Sequence, residues 1–220
     1  MNPNDVVSPY STVPDILTKR AAEFPDKVYL YFAEKQWTYK EFHELTNQVA
    51  DSFKKLGLQK GSHVAILIPN SSEFLFFWFG AMKAGLVGVT LNTLLKADEL
   101  EFIINDSDAT VLCTTPQYRK MLDPSWKELS KIKTVLFASE EPHPDYPSAV
   151  LIKDFIASGN KNFSTEVNPD DHASMIYTSG TTGHPKGVIL RHRNIMYNSY
   201  VAPRYIDLQK EDKALCIMPL

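Results

Sequence analysis

Between Tyr177 and Gly187 the sequence reads Y-T-S-G-T-T-G-H-P-K-G. Four hydroxyl side chains (Thr178, Ser179, Thr181, Thr182), two glycines (Gly180, Gly183) and one cation (Lys186) fall within nine residues. Glycines let backbone N–H groups close on an anion with no Cβ in the way. Hydroxyls donate to phosphate oxygens, and a lysine adds a mobile point charge. Pro185 removes a donor, fixes φ and biases His184 towards extended backbone, which gives Lys186 a defined exit. The chemistry that suits this set is the cradling of a polyphosphate. A Gly/Ser/Thr-rich surface turn has a similar composition, but the ordered run of eleven residues sets this stretch apart. It is not a Walker A loop, which needs G-x-x-x-x-G-K-[ST] and then a helix: Pro185 stands five places after Gly180, and a strand follows. The G-x-G-x-x-G dinucleotide spacing is missing as well.

The elements that must position this loop are legible on either side. Ala173–Ile176 before it and Val188–Leu190 after it read as buried strands. Further upstream, Val13–Phe24 reads as an amphipathic helix stopped by Pro25, and Lys27–Ala33 as a strand whose hairpin Trp37 closes. Thr38-Tyr39-Lys40-Glu41 is a capping box opening a helix with Phe42, Leu45, Val49, Phe53 and Leu56 on one face, stopped by Gly57. His63–Ile68 is a buried strand. An aromatic helix follows from Ser71 or Ser72 to Gly85, and Leu86–Leu91 is the next strand. Asp98–Asp106 is expected as helix, Ala109–Thr114 as strand, Gln117–Leu129 as helix and Lys133–Ala138 as strand. Glu140–Pro147 is a Pro-rich loop, Lys153–Ser158 a short helix and Gly159–Asp171 a polar surface linker. Asn194–Tyr205 is expected as helix and Lys213–Met218 as strand. Alternation of this kind predicts an α/β fold: a doubly wound, mainly parallel sheet with helices on both faces. Ligands of such sheets gather at the carboxyl ends of the strands, where the loop after Ile176 falls.

Bulk properties narrow the function. The 220 residues suffice for a buried core, and a net charge of −3 without a basic cluster excludes a nucleic-acid binder. Two cysteines, Cys113 and Cys216, sit in apolar strand-like runs and are expected to be buried thiols. The amino terminus lacks the basic-then-apolar pattern of a signal peptide, so a cytoplasmic location is expected. The run Phe74–Met82 is far short of the roughly 20 residues that span a bilayer. It reads as a helix buried on most sides, with a weak peripheral membrane contact as the alternative.

Y-T-S-G-T-T-G-H-P-K-G-V resembles the phosphate-binding signature of the AMP-forming adenylate-forming enzymes, which comprise acyl- and aryl-CoA synthetases, beetle luciferases and peptide-synthetase adenylation domains. The resemblance runs along the chain in order. Trp37–Phe42 is similar to the family's L-T-Y-x-E-L segment, and Gly61–Ser71 to G-D-x-V-A-I…P-N-S. Met82–Asn92 is similar to L-K-A-G-A-x-x-V-P-L, and Leu190–Asn194 to L-T-H-R-N, in which His192 reads as a hydrogen-bonding helix start rather than a catalyst.

The resemblance implies a two-step reaction: activation of a carboxylic acid by MgATP to an acyl-adenylate, then transfer to coenzyme A. It assigns Thr178, Ser179, Thr181, Thr182 and Lys186 to the β- and γ-phosphates, with Gly180 and Gly183 giving clearance, and no residue to a metal. Leu91-Asn92-Thr93 looks more like acyl-CoA synthetases than peptide-synthetase domains, which favours a medium- or long-chain fatty acid, with an aryl acid second. The chain reaches Met218-Pro219-Leu220 where the family continues P-L-x-H, so residues 1–220 are expected to be the amino-terminal part of the AMP-binding large domain. The catalytic lysine, the rest of the large domain and the small lid domain would lie beyond Leu220, leaving these residues unable to turn over alone. A non-catalytic nucleotide- or acyl-adenylate-binding fragment is the competing class.

Overall fold

A computed structural model of the chain describes residues 8–139, 149–178, 185–209 and 211–218. The expected loop over 140–147 therefore lies outside the described residues.

Local signals set the first elements. Thr12 Oγ1 accepts from Asp15 N at 3.2 Å and caps α1 (Val13–Glu23). A two-stranded hairpin follows, β1 (Val28–Phe32) with β2 (Lys35–Thr38), separate from the main sheet. The capping box forms as expected: Glu41 N donates to Thr38 Oγ1 at 3.1 Å, and Thr38 N to Glu41 Oε2 at 2.8 Å, opening α2 (Tyr39–Lys55). Gly57 adopts φ +82°, the left-handed turn that ends the helix. Leu56, expected on the buried face, is instead the C-cap and 39% exposed, because it lies past the last turn that packs.

The main sheet has seven strands in the order β7-β6-β5-β3-β4-β8-β9: β3 (His63–Leu67), β4 (Val87–Thr90), β5 (Val111–Thr114), β6 (Thr134–Phe137), β7 (Val150–Leu151), β8 (His172–Thr178) and β9 (Lys186–Arg191). Every adjacent pair is parallel except β8 with β9, an antiparallel hairpin. One face of the sheet packs α1, α2, α3 (Ser72–Lys83) and α6 (Ile152–Ala157) around Phe42, Phe53, Phe77 and Ile66. The other face packs α4 (Ala97–Asp106) and α5 (Arg119–Leu122) through Leu100, Ile103, Leu112 and Leu122. The doubly wound α/β fold is thus as expected. Two cores form because each parallel strand buries both its faces.

Helix α3 has no exposed residue, so the aromatic stretch is spent on the core. Among the described residues no helix is long and apolar enough to cross a membrane. Gly80 lets α3 approach α2 closely: a Cβ there would lie 2.4 Å from Val49 Cγ1. The chain closes with α7 (His192–Tyr205).

Four further expectations are corrected. Residues 117–129 do not form one helix; α5 is flanked by 3₁₀ turns at Pro116–Tyr118 and Asp123–Glu128. Pro124 supplies the reason, since its ring lacks a donor and clashes with the carbonyl four residues back. Residues 213–218 are not a strand. Leu215 is 87% exposed, and among the described residues no strand pairs with this segment. Cys216, expected to be buried, is consequently exposed, whereas Cys113 is buried in β5. Finally, β9 is not a buried strand: it is the sheet edge, with Val188 and Ile189 exposed.

Candidate active site

The carboxyl ends of β4 and β8 lie side by side, with Thr90 opposite Ile176 in register. Thr90, Leu91, Asn92, Glu99, Tyr177 and Thr178 wall a cleft of about 400 Å³ there. Its rim is held by local hydrogen bonds. Asn92 Oδ1 accepts from Leu94 N at 3.0 Å, and Glu99 Oε2 accepts from Lys96 N at 2.9 Å.

Of the seven residues expected to hold phosphate, the structure brings Thr178 and Lys186 together. They are register partners in the β8–β9 hairpin, and both are exposed. Directly opposed residues of an antiparallel pair project to the same face, so a hydroxyl and a lysine side chain share one face of the hairpin, and Thr178 also lines the cleft. Ser179, Gly180, Thr181, Thr182 and Gly183 lie outside the described residues.

Two contributors escaped the sequence reading. Tyr177, one place before Thr178, projects to the opposite face and donates its hydroxyl to Asp106 Oδ2 at 2.6 Å. Burial, then that bond and the Asp106 charge, push its pKa well up, so the phenol stays protonated and keeps donating. Its register partner is Gly187, where a Cβ would sit 3.1 Å from Tyr177 Cζ and 3.0 Å from Met175 Sδ. The glycine after the lysine thus gives the tyrosine ring room. A tyrosine and a glycine bracketing the run symmetrically was the available signal.

The second is Trp78, read only as part of an apolar helix. Its Nε1 donates to Ser174 Oγ at 3.1 Å, and Ser174 Oγ donates to the Gly88 carbonyl at 2.9 Å. This relay locks β8 to β4 and α3. Gly88 is required by it, because a Cβ there would lie 2.7 Å from Trp78 Cδ1.

His192 is structural, as expected from its place at the start of α7. It is fully buried, and its Nδ1 accepts from Val13 N at 3.4 Å. Burial and then the Lys60 charge, against the pull of Asp171, bring its pKa down to about 4. An apolar cavity of about 290 Å³, walled by Leu17, Phe79, Met82 and Met196, lies between α1, α3 and α7 and includes none of the expected phosphate-binding residues.

Comparison with known proteins decides what this arrangement belongs to. Residues 17–220 match the family model of the AMP-binding enzymes. The chain belongs to the AMP-binding enzyme family. Within this family it is 33% identical over 190 residues to a crotonobetaine/carnitine–CoA ligase of Proteus mirabilis, covering 84% of this chain and 36% of the relative. Among solved structures, a long-chain-fatty-acid-CoA ligase, FadD1 of Archaeoglobus fulgidus, superposes with a TM-score of 0.85 at 28% identity. That match covers 97% of this chain and 43% of the other. The anthranilate CoA ligase AuaEII in complex with anthranoyl-AMP gives a TM-score of 0.79 at 28% identity, over 88% of this chain and 37% of that one. The chain spans two fifths or less of the length of the curated relatives it matches.

Proposed function

We propose that this chain supplies the phosphate-binding portion of a ligase that activates a carboxylic acid with MgATP and passes the acyl group to coenzyme A. In the first step a carboxylate oxygen bonds to the α-phosphorus of ATP and pyrophosphate leaves, giving an acyl-adenylate. In the second, the coenzyme A thiol bonds to the acyl carbon, AMP leaves and the thiol proton goes to solvent. The observation that carries the reading is the Thr178–Lys186 pair of the β8–β9 hairpin, whose Thr178 lines the cleft at the carboxyl ends of β4 and β8. A hydroxyl donor and a cation fixed on one face, on either side of the glycine-rich run, suit the charge that grows on departing pyrophosphate. Thr178, Ser179, Thr181, Thr182 and Lys186 are the proposed ligands of the β- and γ-phosphates, with Gly180 and Gly183 giving clearance.

Residues 1–220 are, in this reading, the amino-terminal part of the large domain. The remainder of that domain, a lid and the catalytic lysine would come from further sequence, which the relatives' greater length supports. Residues 1–220 alone are then inactive. A medium- or long-chain fatty acid is the favoured substrate, supported by the likeness to the fatty-acid ligase. An aryl acid is second, supported by the likeness to the anthranilate ligase.

The test is to incubate the longest product of the gene with ATP, Mg²⁺, coenzyme A and a panel of acids, and to look for AMP and thioester. The panel holds fatty and aryl acids together with crotonobetaine and carnitine, for which the Proteus relative is named. AMP and thioester formed in equal amounts with one acid class support the proposal. Nucleotide binding without AMP formation from any acid would favour a non-catalytic binder.

A further inference from the structure

Among the described residues Lys83 is the only lysine, arginine, aspartate or glutamate that is buried, at 4% exposure. It is the last residue of α3, at the opposite end of the sheet from the cleft, and the proposed reaction does not use it. Its Nζ lies 3.0 Å from His43 Nδ1, 2.9 Å from the His43 carbonyl and 2.7 Å from Asn47 Oδ1. None of these neighbours is a carboxylate. The charged groups beside the cluster are Glu44 of α2 and Lys161 of the 159–171 segment, and these hold each other at 3.0 Å.

The proton positions follow from donor and acceptor chemistry. Asn47 Nδ2 lies 2.6 Å from the Lys161 carbonyl. A carbonyl only accepts, so the amide nitrogen must face it and the amide oxygen must face Lys83. The same Nδ2 lies 3.1 Å from His43 Nε2. An amide nitrogen only donates, so Nε2 must accept, which places the ring proton on Nδ1. Nδ1–H then points at Lys83 Nζ, and only an uncharged amine has a lone pair to receive it. A neutral amine offers one acceptor and two donors, which matches its three neighbours here. An ammonium would instead meet the ring N–H, or force Nε2–H against the N–H of Asn47.

We propose that Lys83, His43 and Asn47 form a pH-sensitive lock in which Lys83 is held as a neutral amine. Its protonation breaks the bond from His43 and loosens the tie between α2 and Lys161. Burial acts in the same direction, bringing Lys83 down to about 7. Burial, and then the Lys83 charge, bring His43 down to about 4 against the pull of Glu44. The lock sits in a seam: Gln48 Nε2 donates to the Ile156 carbonyl at 3.2 Å and Ser52 Oγ to the Phe155 carbonyl at 2.5 Å. Opening it would free the start of the 159–171 segment and weaken the docking of α6 on α2. Because the folded lysine holds its proton less tightly than the unfolded one, stability rises as pH climbs from about 7 to 10.5.

The test is side-chain ¹⁵Nζ NMR of the lysines in the wild-type chain across this pH range. The expected result is a lysine titrating near pH 7 in the wild type that is missing from Lys83→Met. Asn47→Asp is the second variant. Its carboxylate would accept from Nε2–H, turn Nδ1 into an acceptor and let Lys83 stay charged, so the early titration should move up towards 10.5. If Lys83→Met does not fold, the wild type and Asn47→Asp still decide. The absence of any lysine titrating near pH 7 in the wild type, or an early titration that survives in Lys83→Met or is unmoved by Asn47→Asp, would overturn the proposal.

Discussion

The Tyr177 hydroxyl donates to Asp106 Oδ2 at 2.6 Å, joining the end of the strand that leads into the glycine-rich run to the last residue of α4. One bond thereby fixes two walls of the cleft. Tyr177→Phe keeps the ring against Gly187 and removes only the donor. The expected loss is about 1 kcal/mol, the ordinary net worth of a hydrogen bond at a partly exposed site. Urea unfolding of the two proteins measures it, and an unchanged midpoint would show that the contact contributes nothing.

Gly80→Ala sets two effects against each other. Alanine improves helix propensity by about 1 kcal/mol, whereas forcing an extra methyl into a packed core costs typically about 1–3 kcal/mol. Here the new Cβ would meet Val49 Cβ at 2.7 Å as well as Cγ1 at 2.4 Å, and a β-branched side chain in α2 cannot swing away. Overpacking wins, and thermal unfolding should show a net destabilisation. A rise in Tm would mean that the α2–α3 seam has slack.

Phe77 is fully buried between Phe53 and Phe155, with ring centroids 6.2 and 6.1 Å away. Phe77→Ala should lower stability by about 3–5 kcal/mol through lost burial and the cavity it leaves. Ile217, 77% exposed, should tolerate alanine within about 0.5 kcal/mol. Denaturant midpoints for the pair give the contrast, and similar losses at both sites would contradict the assignment of core and surface.

His192 gives a pH dependence whose sign is fixed by its environment. Its folded pKa of about 4 lies below the ordinary 6.5, so between those values the unfolded chain holds more protons. Stability contributed by the neutral ring is present above pH 6.5 and is lost as pH falls towards 4, by up to roughly 3 kcal/mol. His192→Asn keeps an acceptor for Val13 N and should flatten part of this acid limb in stability-versus-pH curves. His43 supplies a further part of it, being brought down to about 4 as well. An acid limb of unchanged steepness would remove His192 as its source.

Elements whose start and stop are chemically marked were legible in the sequence: Thr38 with Glu41 and Gly57 around α2, Ser71 before α3, and alternation of strand and helix through residue 114. What failed depended on partners, which local sequence does not contain. Residues 213–218 have strand composition but no strand beside them among the described residues, and β9 has the apolar content of a core strand while lying at an edge. Pro124 is the mark in the sequence of the break within residues 117–129. Of the site, residue types and order were readable, but geometry was not. That Thr178 faces Lys186, that Tyr177 reaches Asp106 71 residues away, and that Trp78 holds Ser174 are consequences of register and packing.

The central claim is that the run from Thr178 to Lys186 holds the pyrophosphate of ATP during carboxylate activation. Acid-dependent ATP–pyrophosphate exchange by the longest product of the gene, compared with its Lys186→Ala variant, tests it most directly. The account predicts exchange with one class of carboxylic acid and a fall on the order of 100-fold or more in the variant, the scale of losing a preorganised charge at the reacting centre. Residues 1–220 alone should give none. Exchange that survives Lys186→Ala at the wild-type rate would contradict the account.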